Sequence, residues 1–209
     1  MHMFADDTKL CRVIWSKMDI DLLQEDLNSL ARWCAKYLLT FNPQKYKVMH
    51  VGHKMDSAYH MPDTQDISAK YKIEASVKEW DLGVMVTDNL KPSEQCIKAA
   101  AKSRAVLGIA IRNLQKLDES DFLILYKTYV RPRIQYCVQA WSSHLQKDIQ
   151  ILEKVQRAAT KIVPYLKTCS YDDRLSQLGL NQKMQRRPNG CNLLNFLCPS
   201  LPYLECYSR

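Results

Sequence analysis

The stretch Leu90-Lys91-Pro92-Ser93-Glu94-Gln95-Cys96 divides this chain into two kinds of pattern. After Pro92-Ser93, the residues Cys96, Ala99, Ser103, Val106, Ala110 and Leu114 recur every three or four positions, the stripe of an amphipathic helix. Asp118 or Ser120 suits the cap of a second helix that carries Phe122, Leu125 and Tyr129, with a break expected at Pro132. Leu145, Ile149, Leu152, Val155, Ala159 and Ile162 mark a third, stopped by Pro164. Ser170 and Asp173 form a capping-box pattern ahead of a short fourth helix bearing Leu175 and Leu178. Residues 91–187 therefore read as an α-helical bundle.

Upstream of residue 90 the order is strand, helix, strand, strand, strand. Leu10, Val13, Ile14 and Trp15 suit a strand. Asp19 and Asp21 occupy helix-start positions, and Ile20, Leu23, Leu27, Leu30, Cys34 and Tyr37 line one face of the helix that follows. Asn42-Pro43 ends it, because proline excludes helical geometry from the residue before it. Tyr46 to Val51, Tyr71 to Ala75 and Leu82 to Thr87 are expected strands, with Gly83 marking a close backbone approach. Residues 53–70 are expected to be a loop. The fold class is thus α+β over residues 1–90, short antiparallel strands with one helix, followed by helices. Residues 188–209 hold three prolines and three cysteines without periodicity and read as an irregular tail.

The chain has 209 residues and a net charge of +8. Residues 1–90 carry 11 Lys/Arg against 13 Asp/Glu, whereas residues 91–209 carry 19 against 9, so the whole surplus lies in the helical half. A basic half suits an acidic partner, of which nucleic acid is the commonest, or serves solubility alone. The longest apolar run, Ala105 to Ile111, is far short of a membrane span. With no secretory signal at the N-terminus, the expected location is intracellular, cytoplasm or nucleus. The eight cysteines form no CxxC pair, which argues for free thiols rather than a zinc ribbon.

Chemistry is concentrated at Phe4-Ala5-Asp6-Asp7, an aromatic residue followed two positions later by paired carboxylates, with a β-prone segment directly after it. Adjacent carboxylates on a rigid turn suit the divalent ions of phosphoryl transfer, which sit about 4 Å apart and are bridged by acidic oxygens. Phe4-Ala5-Asp6-Asp7-Thr8-Lys9-Leu10 resembles the catalytic turn of reverse transcriptases of non-LTR (LINE-type) retrotransposons. Further blocks follow in that family's order. Leu38 through Gly52 is similar to the next block, and Asp81-Leu82-Gly83-Val84 to the primer-side hairpin. Leu125 through Pro132, Tyr136 through Trp141, Leu152 through Lys161, and Ser170 through Leu180 are similar to the thumb.

The resemblance implies a partial palm over residues 1–90 and a helical thumb over 91–187. It implies RNA-directed DNA polymerase (nucleotidyltransferase) activity, with Mg²⁺ as cofactor, deoxynucleotides as substrates, and an RNA template and DNA primer as partners. Asp6 and Asp7 would be the catalytic, metal-binding carboxylates. Lys45 would lie near the triphosphate, with Lys47 as the alternative. The family's other metal-binding aspartate comes from an upstream strand with no counterpart in these residues, so this chain is expected to be inactive by itself. Trp80 stands where the family usually has a charged residue, and the likeness stops at Arg187.

Cations at helical spacing supply an expected nucleic-acid grip. Lys154, Arg157 and Lys161 fall on one face of the third helix. Lys98 pairs with Lys102, Arg112 with Lys116, and Arg131 and Arg133 flank Pro132. Such residues hold phosphates without reading bases. Tyr136 and Trp141 are expected to fill the core. Two other readings compete with a polymerase fragment: a non-catalytic nucleic-acid-binding module, and a helical interaction module whose charge serves only solubility.

Overall fold

The structure, a computed structural model, describes residues 2–4, 7–40, 42, 45–52, 57–63, 69–113 and 118–180. The protein is mixed α/β, 56% helical and 13% strand, with small sheets. It divides into two compact units, residues 1–79 and 80–209, rather than near residue 90.

In the first unit, β1 (His2–Phe4) and β2 (Asp7–Lys9) pair antiparallel, with Phe4 opposite Asp7. The strand expected across Lys9 to Trp15 ends at Lys9. Helix α1 (Lys17–Lys36) begins earlier than Asp19 suggested, because Ser16 is its N-cap and Asp19 its third residue. The Asp19 carboxylate accepts hydrogen bonds from the Ser16 N–H and hydroxyl, both at 2.9 Å, and from the Trp15 N–H at 3.1 Å. Those bonds, the Ser16 hydroxyl first, hold its pKa below the usual 3.8.

The rest of this unit is β3 (Lys47–Val48), β4 (His60–Pro62), β5 (Lys70–Lys72) and β6 (Glu74–Ala75). Strand β4 falls where a loop was expected. Strands β4 and β5 are antiparallel, but β3 and β6 pair in parallel, which corrects the all-antiparallel expectation. The core is Ala31, Tyr59, Met61 and Ile73, against which Ile20, Leu23, Leu27, Leu30, Tyr46 and Val48 pack. The predicted face of α1 is therefore the packed one, except that Tyr37, its C-cap, is exposed beside Trp33.

The division falls inside β7 (Lys78–Asp81), which forms a hairpin with β8 (Val84–Thr87). All four residues of β8 are buried. Helices α2 (Ser93–Asn113) and α6 (Gln146–Thr160) pack together, α2 burying Cys96, Ala99, Ala100, Ser103, Leu107 and Ala110 and α6 burying Leu152, Val155 and Ala159. Small side chains on α2 let the two axes approach closely. Asp148, 1% exposed, ties the two helix starts together. Its carboxylate accepts from the Ser93 hydroxyl at 2.8 Å and the Ser143 hydroxyl at 2.7 Å. Helix α7 (Tyr171–Gln177) is capped by Ser170, whose hydroxyl accepts from the Asp173 N–H.

Proline 132 does not break the second helix of this unit. Helix α3 (Glu119–Leu125), capped by the Asp118 side chain, runs into a π-helical turn (Tyr126–Val130) and on into α4 (Arg131–Gln135), where Pro132 sits in the first turn. The Arg131 N–H reaches back five residues to the Tyr126 carbonyl. Widening the turn by one residue accommodates a proline that has no N–H and crowds an α-helical carbonyl. The buried stripe becomes Phe122, Tyr126, Val130 and Ile134, instead of Phe122, Leu125 and Tyr129. Tyr129 is left exposed. Trp141, on the short helix α5 (Val138–Trp141), is buried as expected and donates its indole N–H to the Tyr136 carbonyl at 2.7 Å.

Candidate nucleic-acid interface

The hairpin turn at Leu82-Gly83 anchors the site. Both residues have positive φ, 45° and 81°, as two-residue hairpin turns require. A Cβ on Gly83 would lie 3.1 Å from Cε1 of Tyr136. The close approach at Gly83 is thus real, and it is a tyrosine ring that approaches. The Tyr136 hydroxyl donates to the Leu82 carbonyl at 2.9 Å, fastening the turn to the end of α4. On the other side, the buried Gln95 carboxamide of α2 accepts from the Met85 N–H at 2.8 Å. The hairpin is thus held at its turn by Tyr136 and on β8 by Gln95.

Between the hairpin, α2, the π turn and α4 lies a cleft of about 410 Å³. Three of the predicted cations, Lys98, Lys102 and Arg133, line it, together with Trp80, Tyr129 and Tyr136. Among the described residues no acidic residue lines the cleft, and none of the three cations has a carboxylate partner. The Lys102 ammonium lies 4.3 Å from the centre of the Trp80 ring, a cation–π contact. Trp80, Tyr129 and Tyr136 are 47%, 57% and 55% exposed. Assigning Tyr136 to the core was therefore wrong: its ring faces the cleft because its hydroxyl is used on the hairpin. The sequence signal for these three aromatics was weak. Trp80 stood out as a departure from the family pattern, and Tyr129 shared the spacing of a core stripe.

The remaining candidate cations do not line this cleft. Arg131 is exposed and donates to the Gln135 side chain at 3.0 Å. Arg112 is exposed in the last turn of α2, and Lys116 lies outside the described residues. Lys154, Arg157 and Lys161 are all exposed on or just after α6, as the helical spacing predicts. Arg157 is partly engaged, 3.8 Å from Glu153 and with its guanidinium 4.4 Å from the centre of the Tyr171 ring.

Of the acidic turn, Asp7 is exposed at the start of β2, and Asp6 lies outside the described residues. Lys45 is exposed. Lys47 is engaged with Glu74 at 2.6 Å, a bond that raises the amine's pKa above its ordinary value. Among the described residues no group of three or more His, Cys, Asp or Glu could hold a metal ion. No helix among the described residues is long and apolar enough to cross a membrane.

No family model matches the chain, and no curated protein or solved structure matches it.

Proposed function

We propose that this chain is the C-terminal palm and helical thumb of a non-LTR retrotransposon reverse transcriptase, and that its second unit binds the sugar–phosphate backbone of nucleic acid. The ordered blocks from Phe4-Ala5-Asp6-Asp7 to Leu178-Gly179-Leu180 support the family reading. The observation that carries the binding role is the meeting of Lys98, Lys102 and Arg133 with three exposed aromatic residues in one cleft that no described acidic residue lines. Unpaired cations attract phosphates, and the resulting affinity falls steeply with salt.

The family reaction is RNA-directed DNA synthesis, for which Asp6 and Asp7 would supply Mg²⁺ ligands. By this reading the 209 residues do not polymerise alone, because they contain no counterpart of the family's other metal-binding aspartate. Primer extension on an RNA template tests this directly. No product is expected, and extension that Asp6→Ala abolishes would overturn the inactivity. The binding role is tested by titrating the chain with an oligonucleotide at rising salt. Absence of binding at low salt would favour a helical interaction module instead.

A further inference from the structure

Resting on the nucleic-acid reading of this cleft, we infer that it takes one unpaired nucleotide of a single strand, the base on its aromatic rings and the flanking phosphates on its lysines and arginine. Three features of the cleft lead there. Its volume, about 410 Å³, is at the small end of the roughly 300–1,000 Å³ that encloses one small-molecule-sized ligand. That is room for a nucleotide and far too little for a double helix, whose major groove alone is about 12 Å wide.

Its lining is the second feature. A site that merely tracks duplex phosphates needs cations on an open face. Here the cations come interleaved with Trp80, Tyr129 and Tyr136, each about half exposed. Base stacking on aromatic rings combined with a basic groove is how single strands are held without sequence preference, because every base has a flat face. Bases paired in a duplex have those faces covered by their neighbours.

The third feature is how the rings are held. Tyr129 belongs to the π turn, and without that turn's extra residue the α-helical stripe would carry it towards the core. Tyr136 is fixed by its bond to the Leu82 carbonyl and its contact with Gly83. Trp80 is capped by the Lys102 ammonium. The rings of Trp80 and Tyr136 are thus held before any ligand arrives, which reduces the ordering that opposes binding.

The test compares a single-stranded oligonucleotide, a blunt duplex of equal phosphate number and polyglutamate, all at low salt, for the full chain and its variants. The single strand is expected to bind at least tenfold more tightly than the duplex. Tyr129→Ala should weaken single-strand binding by about fivefold to a hundredfold, the loss of one stacked base, and leave the salt slope and the duplex affinity unchanged. Circular dichroism confirms that the variant is folded. Lys98→Ala should lower the salt slope of single-strand binding by about 1. Equal affinity for single strand and duplex, or a Tyr129→Ala variant that binds like the parent, would overturn the inference and leave the nucleic-acid reading standing. Binding of polyglutamate as tight as the single strand, or no binding of either nucleic acid, would overturn both.

Discussion

Tyr136 and Leu82, 54 positions apart in sequence, are joined by a 2.9 Å hydrogen bond from the phenolic hydroxyl to the backbone carbonyl. This contact fastens the β7–β8 turn to the end of α4, and with it two walls of the cleft. Tyr136→Phe removes one partly exposed bond and should cost about 0.5–1.5 kcal/mol. Gly83→Ala should cost about 1–3 kcal/mol, because a side chain at a φ of +81° is strained and its Cβ meets the tyrosine ring. Denaturant midpoints measure both. Part of the Gly83→Ala loss should disappear in a Tyr136→Ala background, where the ring is gone but the backbone strain remains.

Cation contributions to binding should differ by position. Replacing Lys98 or Arg133 with alanine is expected to lower the salt slope of oligonucleotide binding by about 1 each. Arg157→Ala should lower it by less, since that guanidinium already lies against Tyr171 and near Glu153. An equal effect from all three would argue that the cleft has no special part in binding.

The helix caps predict an acid limb. Asp19, held first by the Ser16 hydroxyl and then by the Trp15 N–H, titrates below its usual 3.8. Asp118, held first by the Asp121 N–H and then by the Ser120 hydroxyl, does the same. A carboxyl group with a depressed folded-state pKa contributes stability that is complete above its unfolded value and is lost as pH falls through the folded one. The loss from these two caps should therefore begin near pH 3.8 and continue below it. Asp19→Asn and Asp118→Asn should flatten that limb in unfolding curves recorded between neutral pH and about pH 3.

An alkaline limb is expected from Cys96. Burial, with a smaller contribution from Asp148, pushes its thiol from 9.0 up to about 12. The raised folded-state value means that its contribution is full below pH 9.0 and is lost as pH rises towards 12. Cys96→Ala should flatten the stability decline in that window. In the native protein Cys96 should resist thiol reagents at pH 8 while the exposed Cys11 reacts, a difference that peptide mapping after alkylation reads out.

The largest stability losses should come from the rings that close the second unit. Phe122 is fully buried, and Phe122→Ala should cost about 3–5 kcal/mol through lost transfer energy and an unfilled cavity. Trp141→Ala should cost at least as much, because it also strands the Tyr136 carbonyl. Thermal unfolding measures both.

Where periodicity was strong, the elements were legible. The faces of α1, α2 and α6 and the caps at Asp118 and Ser170 follow from spacing and side-chain chemistry that act within a few residues. What was not legible depends on distant partners. Two-residue strands such as β3 and β6 are too short to leave an alternating pattern, and their parallel pairing joins Lys47 to Glu74, 27 positions away. Pro132 is a reliable α-helix breaker, but a π turn absorbs it, and no local rule anticipates that. Of the cleft, the lysine pair and Arg133 could be listed from helical spacing. Their convergence with Trp80 and Tyr136 required the hairpin to be folded back onto α4. Asp6 and Lys116 lie outside the described residues.

The π turn also decides which way everything after it faces. One residue of an α-helix corresponds to about 100° of rotation. Were the same residues of Tyr126–Val130 wound as an ordinary α-helix, with none removed, Arg133 and Tyr136 would swing by more than a quarter of the way around the axis. The hairpin would lose its clasp and Lys98 its neighbours across the gap, although every side chain involved would still be present in the polypeptide.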